Sequence, residues 1–410
     1  MNDRKIPTEN YKGVRDFYPE DMAVQKYLFE VWRNVAESFG YVEYSASLLE
    51  PTELYASKTS EEIVNEQTYS FKDRGKREVT LRPEMTPTLA RMVAARRRDL
   101  AFPLRWFSIP NIFRYERPQR GRLREHWQLN CDILGVANNE AEVEVISLAY
   151  RLMKTFGARD EDFEIRINNR KTLAALLIKY GLDDIQAKKL RLLLDKKDKV
   201  ENFEETAQEI VGEPFVFPYD PDAESAALIE TLAARGIKNV RFDSAVVRGF
   251  DYYTGIVFEV FDTAPENTRS LFGGGRYDNL LELFGAEKVP AVGFGMGDVT
   301  TRDFLETHNL LGGYRQTTDL SVCTVSDMAN SFAQELAQRL RESGIRVALD
   351  TTNRKVGDKI KSADKQRIPY VLCIGEEEIQ RGAFKLKNLA SSEEVVLNES
   401  ALVEHINKKK

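Results

Sequence analysis

Ten arginines and no lysine lie between residues 91 and 124, where the only acids are Asp99 and Glu116. Arginine carries a planar fork of donors that fits carboxylate and phosphate oxygens two at a time. Arg114, Arg117, Arg122 and Arg124 fall at a strand end and in the loop beside it, RYERPQRGRLREH, where side chains can converge on an anion. The cluster reads as a phosphate or carboxylate clamp; a salt-bridge network and a plain solvated face are the alternatives. The solvated face suits Arg96, Arg97 and Arg98. Four shorter signals accompany it. TLRPEMTP (80–87) places Glu84 after a proline at a strand end, a positioned carboxylate that can hold an ammonium group. Gln128, Asn130 and Asp132 alternate along a strand, so they share one polar face, with Leu129 and Cys131 on the apolar back. RGFDYYTG (248–255) sets Arg248 and Asp251 beside Tyr252 and Tyr253. On a regular strand the two tyrosines face opposite ways, so one of them is expected to pack elsewhere. GGGRY (273–277) and GFGMG (293–297) bare the backbone. They leave a shelf for a planar ring, or mark a tight bend, and neither has Walker or dinucleotide spacing.

Histidine is scarce: His126, His308 and His405 are the only three. A histidine-based triad or a multi-histidine metal site is therefore not expected. Chemistry must rest on arginine, carboxylates, tyrosine and backbone, which suits reactions whose difficulty is anionic charge. A nucleoside triphosphate together with a small zwitterion matches this set.

The chain has 410 residues, 42% of them hydrophobic and 30% charged, with a net charge of −6. That is the composition of folded domains, two to four of them at this length. Mild acidity leaves a nucleic-acid partner open, because local fields outweigh the sum. There is no apolar run long enough to span a membrane. The opening MNDRKIPTENYKG lacks the apolar core of a signal peptide, so a cytoplasmic location is expected. Cys131, Cys323 and Cys373 are far apart, and imply neither a disulfide framework nor a thiolate zinc site.

Period and punctuation give the elements that would carry these residues. Residues 1–20 read as an irregular arm and 20–39 as a helix stopped by Gly40. Residues 78–82 read as a strand and 86–95 as a helix. Residues 105–113 and 127–134 read as the two strands of a long antiparallel hairpin around the arginine loop. Residues 139–156 are expected to be helical, with Glu140, Glu142 and Glu144 favoured in the first turn by the helix dipole. Residues 170–235 read as a mostly helical insertion outside the main sheet, and 239–297 as strands and tight turns. From 313 onward strands and helices alternate as a separate small α/β domain. There, 354–367 holds six basic residues against two acidic ones, and Lys355 and Lys359 are spaced to stack on one helix face. That patch suits phosphates of a structured RNA, or is a solvated face.

Taken together, TLRPEMTP, FRYERPQRGRLREHWQLNCDILG, RGFDYYTGIVFE, LFGGGRYDNL and AVGFGMG resemble the histidyl-tRNA synthetases, a family of class II aminoacyl-tRNA synthetases. The resemblance runs over nearly the whole chain. It implies an α+β fold: a six-stranded antiparallel catalytic core at 1–168 and 237–312, a helical insertion at 169–236, and an anticodon-binding α/β domain at 313–410. It also implies a homodimer that takes ATP with Mg²⁺, L-histidine and tRNA(His). By the same resemblance Arg114 and Arg248 hold the α-phosphate, and Arg114 also meets the amino-acid carboxylate. Glu116, Arg122 and Gly295 belong with ATP. Glu84 and Gln128 hold the amino end, and Asp132, Tyr252, Tyr253 and Tyr277 line the histidine pocket. Arg117, Arg124, Lys355 and Lys359 are expected at the tRNA.

Departures from the pattern are specific. Asp132 stands where the family usually has Glu. Ser47 takes the place of a proline at the dimer seam. His126-Trp127 reverses the usual aromatic-His order, which leaves His126 a structural role. The third motif lacks its Glu-Arg pair, whose arginine stacks on adenine and meets the γ-phosphate; Asp298-Val299-Thr300 follows instead, with Arg302 as the candidate substitute. The competing class is a synthetase-shaped binding module, such as a regulatory subunit of ATP phosphoribosyltransferase. Retention of the site residues and of the terminal domain speaks for the ligase.

Overall fold

Alternation of side chains along the strands decides how the catalytic part is layered. The structure, a computed structural model, describes residues 6–56, 67–194, 200, 202–216, 220–246, 252–267, 269–314 and 316–408. The chain divides into two units, Met1–Gly312 and Gly313–Lys410. The strands of the first are β1 (Val42–Glu43), β2 (Leu49–Pro51), β3 (Tyr69–Lys72), β4 (Glu78–Leu81), β5 (Leu104–Ser108) and β6 (Asn111–Phe113), followed by β7 (Glu125–Leu134), β8 (Phe163–Asn169), β9 (Val240–Phe242), β10 (Ile256–Asp262), β11 (Ser270–Arg276) and β12 (Ala291–Gly297). Among the described residues the main sheet has the order β1-β5-β7-β12-β11-β10-β8-β9, and β6 also pairs with β7. A separate small sheet runs β2-β4-β3.

From β5 to β8 the pairing is antiparallel throughout, giving the six expected strands. Two short parallel edge strands, β1 and β9, extend the sheet beyond them. The strand expected over 105–113 is two strands, broken around Ile109-Pro110, because proline has no N–H for the ladder.

The back of the sheet is apolar. Leu129, Cys131 and Ile133 of β7 join Val292, Phe294 and Met296 of β12 and Ile256, Phe258 and Val260 of β10. Against them lie the helices Pro19–Ser38 and Glu140–Thr155, through Leu28, Trp32, Val35, Ile146, Ala149 and Leu152. Pro19 opens the first helix and Glu20 and Asp21 occupy its first turn, where a helix accepts them. Glu142 is not on a solvated first turn. It is buried in a double ion pair with Arg276, both contacts 2.6 Å, and this pins the Glu140–Thr155 helix to the end of β11.

The front is different. Register places Gly273 beside Gly295 and Gly275 beside Gly293, while Gly293 and Gly295 pair in turn with Asp132 and Asn130. A β-carbon on Gly293 would run into the Asp132 carboxylate, and one on Gly295 would lie 2.7 Å from Gln128 Nε2. On the back, Gly274 leaves room for Phe294: a β-carbon there would strike Gly293 O and sit 2.6 Å from Phe294 Cα.

Within the insertion, helices Arg170–Lys179, Asp184–Leu194 and Phe203–Val211 share a small core of Leu176, Leu190, Leu194, Phe203, Ala207 and Val211. The fourth helix, Ala223–Ala234, does not lie outside the main sheet as expected. Leu228 and Leu232 make it part of the large core.

In the second unit β13 (Leu320–Thr324), β14 (Val347–Asp350), β15 (Tyr370–Ile374), β16 (Phe384–Asn388) and β17 (Glu394–Leu397) form the order β14-β13-β15-β16-β17. The first three are parallel and the last two antiparallel. A short helix at Glu376–Arg381 was not expected, since EEEIQR carries no apolar stripe.

Gly274→Ala is expected to lower the unfolding free energy by about 2 to 3 kcal/mol, because backbone must move to admit the methyl group. Gly312→Ala, with nothing within 4 Å, should leave it unchanged. Chemical denaturation of both variants tests this, and equal stabilities would contradict the packing described.

Candidate active site

The glycine floor makes a pocket possible, and the strands beside it furnish the walls. Gln128, Asn130 and Asp132 from β7 meet Gly293, Phe294 and Gly295 from β12. Glu84 and Thr86 enter after β4, and Tyr252, Tyr253 and Tyr277 complete the wall. Two carboxyl groups face this space, each with its own phenol. Tyr252 OH donates to Glu84 Oε2 at 3.0 Å, and Tyr277 OH donates to Asp132 Oδ1 at 2.5 Å. Burial pushes the Asp132 pKa up to about 7, against the opposing hydrogen bond from Tyr277. Burial also raises both tyrosines well above their usual range.

Tyr252 and Tyr253 both line the pocket, contrary to the strand reading. They precede β10 in a turn, where the alternation rule does not hold, and their rings lie 4.8 Å apart. Tyr253 rests on Gly275: a β-carbon there would come within 3.0 Å of its Cδ1.

A larger cleft of about 880 Å³ adjoins the pocket. Arg114, Gln128 and Gly295 line both spaces. Glu116 and Arg122 reach the cleft as a pair at 3.2 Å, beside Arg120, Arg269, Glu259, Glu266 and Asp303. Arg114 is fixed from two directions: its Nε donates to Pro83 O at 2.8 Å and its backbone N–H to Arg124 O at 2.9 Å. His126 lines the cleft too. Burial, with the charges of Arg114 and Arg15 beside it, pushes its pKa down to about 3, so it is neutral.

Arg124 is not placed for RNA. It is buried, stacks 4.0 Å over the Tyr115 ring, and donates to Tyr11 Oη at 2.9 Å and Glu116 O at 3.1 Å. Its work is to bind the arginine loop to the N-terminal arm. Gly13 serves the same contact: its φ is +89°, and a β-carbon would sit 2.8 Å from Arg124 Cγ. Arg15 then pairs with Asp298 at 2.7 Å, and Asp298 accepts from Trp127 N at 2.9 Å.

Lys359 is likewise no surface cation. It is 2% exposed, and its ammonium donates to Thr324 O at 2.7 Å and Asp350 O at 3.3 Å. Lys355 precedes the Val356–Lys365 helix and stays exposed, as does Arg117 in its loop. Arg302 turns from the cleft to Asp21 at 3.0 Å and Glu306 at 2.8 Å. Arg248 and Asp251 lie outside the described residues. Thr86, Asn267 and Arg269 were missed as lining residues. Arg269 alone carried a signal, as a cation one residue before β11 and its glycine run. Among the described residues no group of three His, Cys, Asp or Glu is placed to hold a metal ion, and no helix is long and apolar enough to cross a membrane.

Chemically, the pocket offers two carboxyl groups for N–H donors and one arginine at its mouth for an anion. That suits a zwitterion with a second N–H group in its side chain. The cleft suits an anionic cosubstrate, joined to the first at Arg114.

Comparison with known proteins gives the family. Residues 13–216 and 219–298 match the family described as histidyl-tRNA synthetase, and 319–409 match the anticodon binding domain. A histidine–tRNA ligase of Leptospira biflexa is 42% identical, over 99% of each chain. Among solved structures, histidyl-tRNA synthetase from Nostoc superposes with a TM-score of 0.77 at 24% identity, covering 98% of this chain and 100% of that one. The ligand-free Staphylococcus aureus histidyl-tRNA synthetase gives 0.74 at 26%, covering 98% and 99%.

Selective carboxyl labelling should show Asp132 titrating at about 7. Tyr277→Phe removes the bond that favours the ionised form and should move that value upward. A midpoint near 4 in the parent chain would contradict the buried placement.

Proposed function

The chain belongs to the histidyl-tRNA synthetase family, and we propose that the small pocket takes L-histidine and the adjoining cleft takes ATP. The reaction joins histidine to tRNA in two steps. In the first, a carboxylate oxygen of histidine attacks the α-phosphorus of ATP, forming histidyl-adenylate and releasing pyrophosphate. In the second, a terminal ribose hydroxyl of tRNA attacks the carbonyl, and AMP leaves.

The observation that carries this reading is the shared wall. Arg114, Gln128 and Gly295 border both spaces, so the carboxylate and the α-phosphate meet where one guanidinium reaches them. Glu84 holds the ammonium. Asp132, oriented by Tyr277, accepts an imidazole N–H, and its short side chain reaches the ring because Gly293 leaves the floor open. Arg248 supplies a second positive charge at the α-phosphorus. Glu116 and Arg122 face the nucleotide, and Gly295 lies beneath it. Mg²⁺ enters with ATP as part of the substrate and offsets charge on the leaving pyrophosphate. No side-chain base is required: positioning and charge neutralisation at the phosphorus lower the barrier.

The second unit binds the anticodon end of tRNA(His), with Lys355 as a phosphate contact; the exposed Arg117 of the first unit is a phosphate contact of its own. The working form is a cytoplasmic homodimer. Support for a second copy comes from the exposed apolar side chains Val42, Leu49 and Phe71 on the edge strand and the small sheet.

ATP–pyrophosphate exchange with each amino acid in turn tests the function. Exchange should require histidine, and charging of total tRNA should follow. Arg114→Ala should cut exchange by about 10² to 10³ with the fold retained, and Arg248→Ala by a similar factor. Histidine binding without exchange would instead identify a binding module.

A further inference from the structure

Two cations of the cleft have no part in the reaction as described. Gln119 and Arg122 exchange backbone hydrogen bonds of 3.0 and 2.9 Å, which closes a two-residue turn with Arg120 and Gly121 at its tip. Gly121, the second residue of the tip, holds a positive φ of +75°, which glycine adopts without steric cost. The tip lies over the first turns of the Asp298–Thr307 helix: a β-carbon on Gly121 would sit 3.6 Å from Thr300 Cγ2 and 3.9 Å from Asp303 Oδ2. A small residue at 300 is what lets the turn settle there. Arg120 is thereby carried along the helix, 3.9 Å from Asp303 and 3.3 Å from Thr307 Oγ1. Neither contact is tight, and the side chain is 55% exposed. Arg269 comes from the other wall, between β10 and β11, and donates to Gln119 Oε1 at 3.2 Å across the cleft. Arg122 is paired with Glu116, and Arg302 is turned to Asp21 and Glu306.

We propose that Arg120 and Arg269 clamp the β- and γ-phosphates of ATP from opposite walls, taking the charge that no arginine of the third glycine motif supplies in this chain. Arg120 exchanges its loose contact with Asp303 for phosphate oxygens. Arg269 exchanges the neutral Gln119 amide oxygen for the same group. Each new contact is a charge-assisted hydrogen bond in a partly enclosed site.

The inference rests on the ligase reading, and the test separates the two. In histidine-dependent ATP–pyrophosphate exchange, Arg120→Ala and Arg269→Ala should each raise KM for ATP by about ten- to hundredfold. KM for histidine should stay within about twofold, and inhibition by AMP, which lacks the outer phosphates, should be unchanged. Arg120→Lys should recover part of the loss, because the charge remains without the fork. Arg302→Ala should leave KM for ATP as it was. An unchanged KM for ATP in both alanine variants would overturn the clamp, as would a loss seen only in tRNA charging. Absence of exchange in the parent chain would overturn the ligase reading instead.

Discussion

The site depends on bare backbone at the centre of the sheet. Asp132 occupies space that a side chain on Gly293 would fill, and Gln128 stands in the same relation to Gly295. Tyr253 rests on Gly275. Residues that weaken most strands are therefore what hold the polar groups here, because they let neighbouring side chains lie across the floor. The opposite face offsets that weakness: Phe294 packs over Gly274, and Leu129, Val292 and Phe258 join the apolar layer under two long helices. Pocket and core thus lie on opposite faces of the same strands.

Electrostatics divides the front face in two. The pocket is a low-dielectric space with two carboxyl–phenol pairs, and burial, against the opposing hydrogen bond from Tyr277, brings Asp132 to a pKa of about 7. The pocket thus presents a carboxyl group whose charge is responsive near neutral pH. The cleft mixes charges: Arg114, Arg120, Arg122 and Arg269 line it together with Glu116, Glu259, Glu266 and Asp303. Arg114 stands at the boundary, and the chain spends several contacts on fixing it. Pro83 O and Arg124 O hold it, Arg124 is stacked on Tyr115, and the N-terminal arm closes over Arg124 through Tyr11 and Gly13. Such a chain of supports keeps the Arg114 guanidinium oriented without a ligand.

Much of this was legible in the sequence, for physical reasons that also mark where reading stopped. The face shared by Gln128, Asn130 and Asp132 follows from a period of two, the helix at 19–38 from its apolar stripe, and the one at 140–155 is marked by the acidic residues of its first turn. Alternation misled at Tyr252 and Tyr253, because the strand begins only at Ile256. Charge misled at Arg124 and Lys359. Both are buried by partners distant in sequence, an aromatic arm for one and strand-end carbonyls for the other, and neither partner leaves a local pattern. The placement of Arg120 left no local pattern for the same reason, since its contacts Asp303 and Thr307 come from a helix about 180 residues on.

A crystal structure with a non-hydrolysable histidyl-adenylate analogue tests the account most directly. The imidazole should lie over the glycine floor with a nitrogen on Asp132, and Arg114 should contact both the former carboxylate and the group standing for the α-phosphate. An imidazole seated away from Asp132 and Tyr277, or Arg114 still bonded only to Pro83 and remote from the linkage, would contradict it.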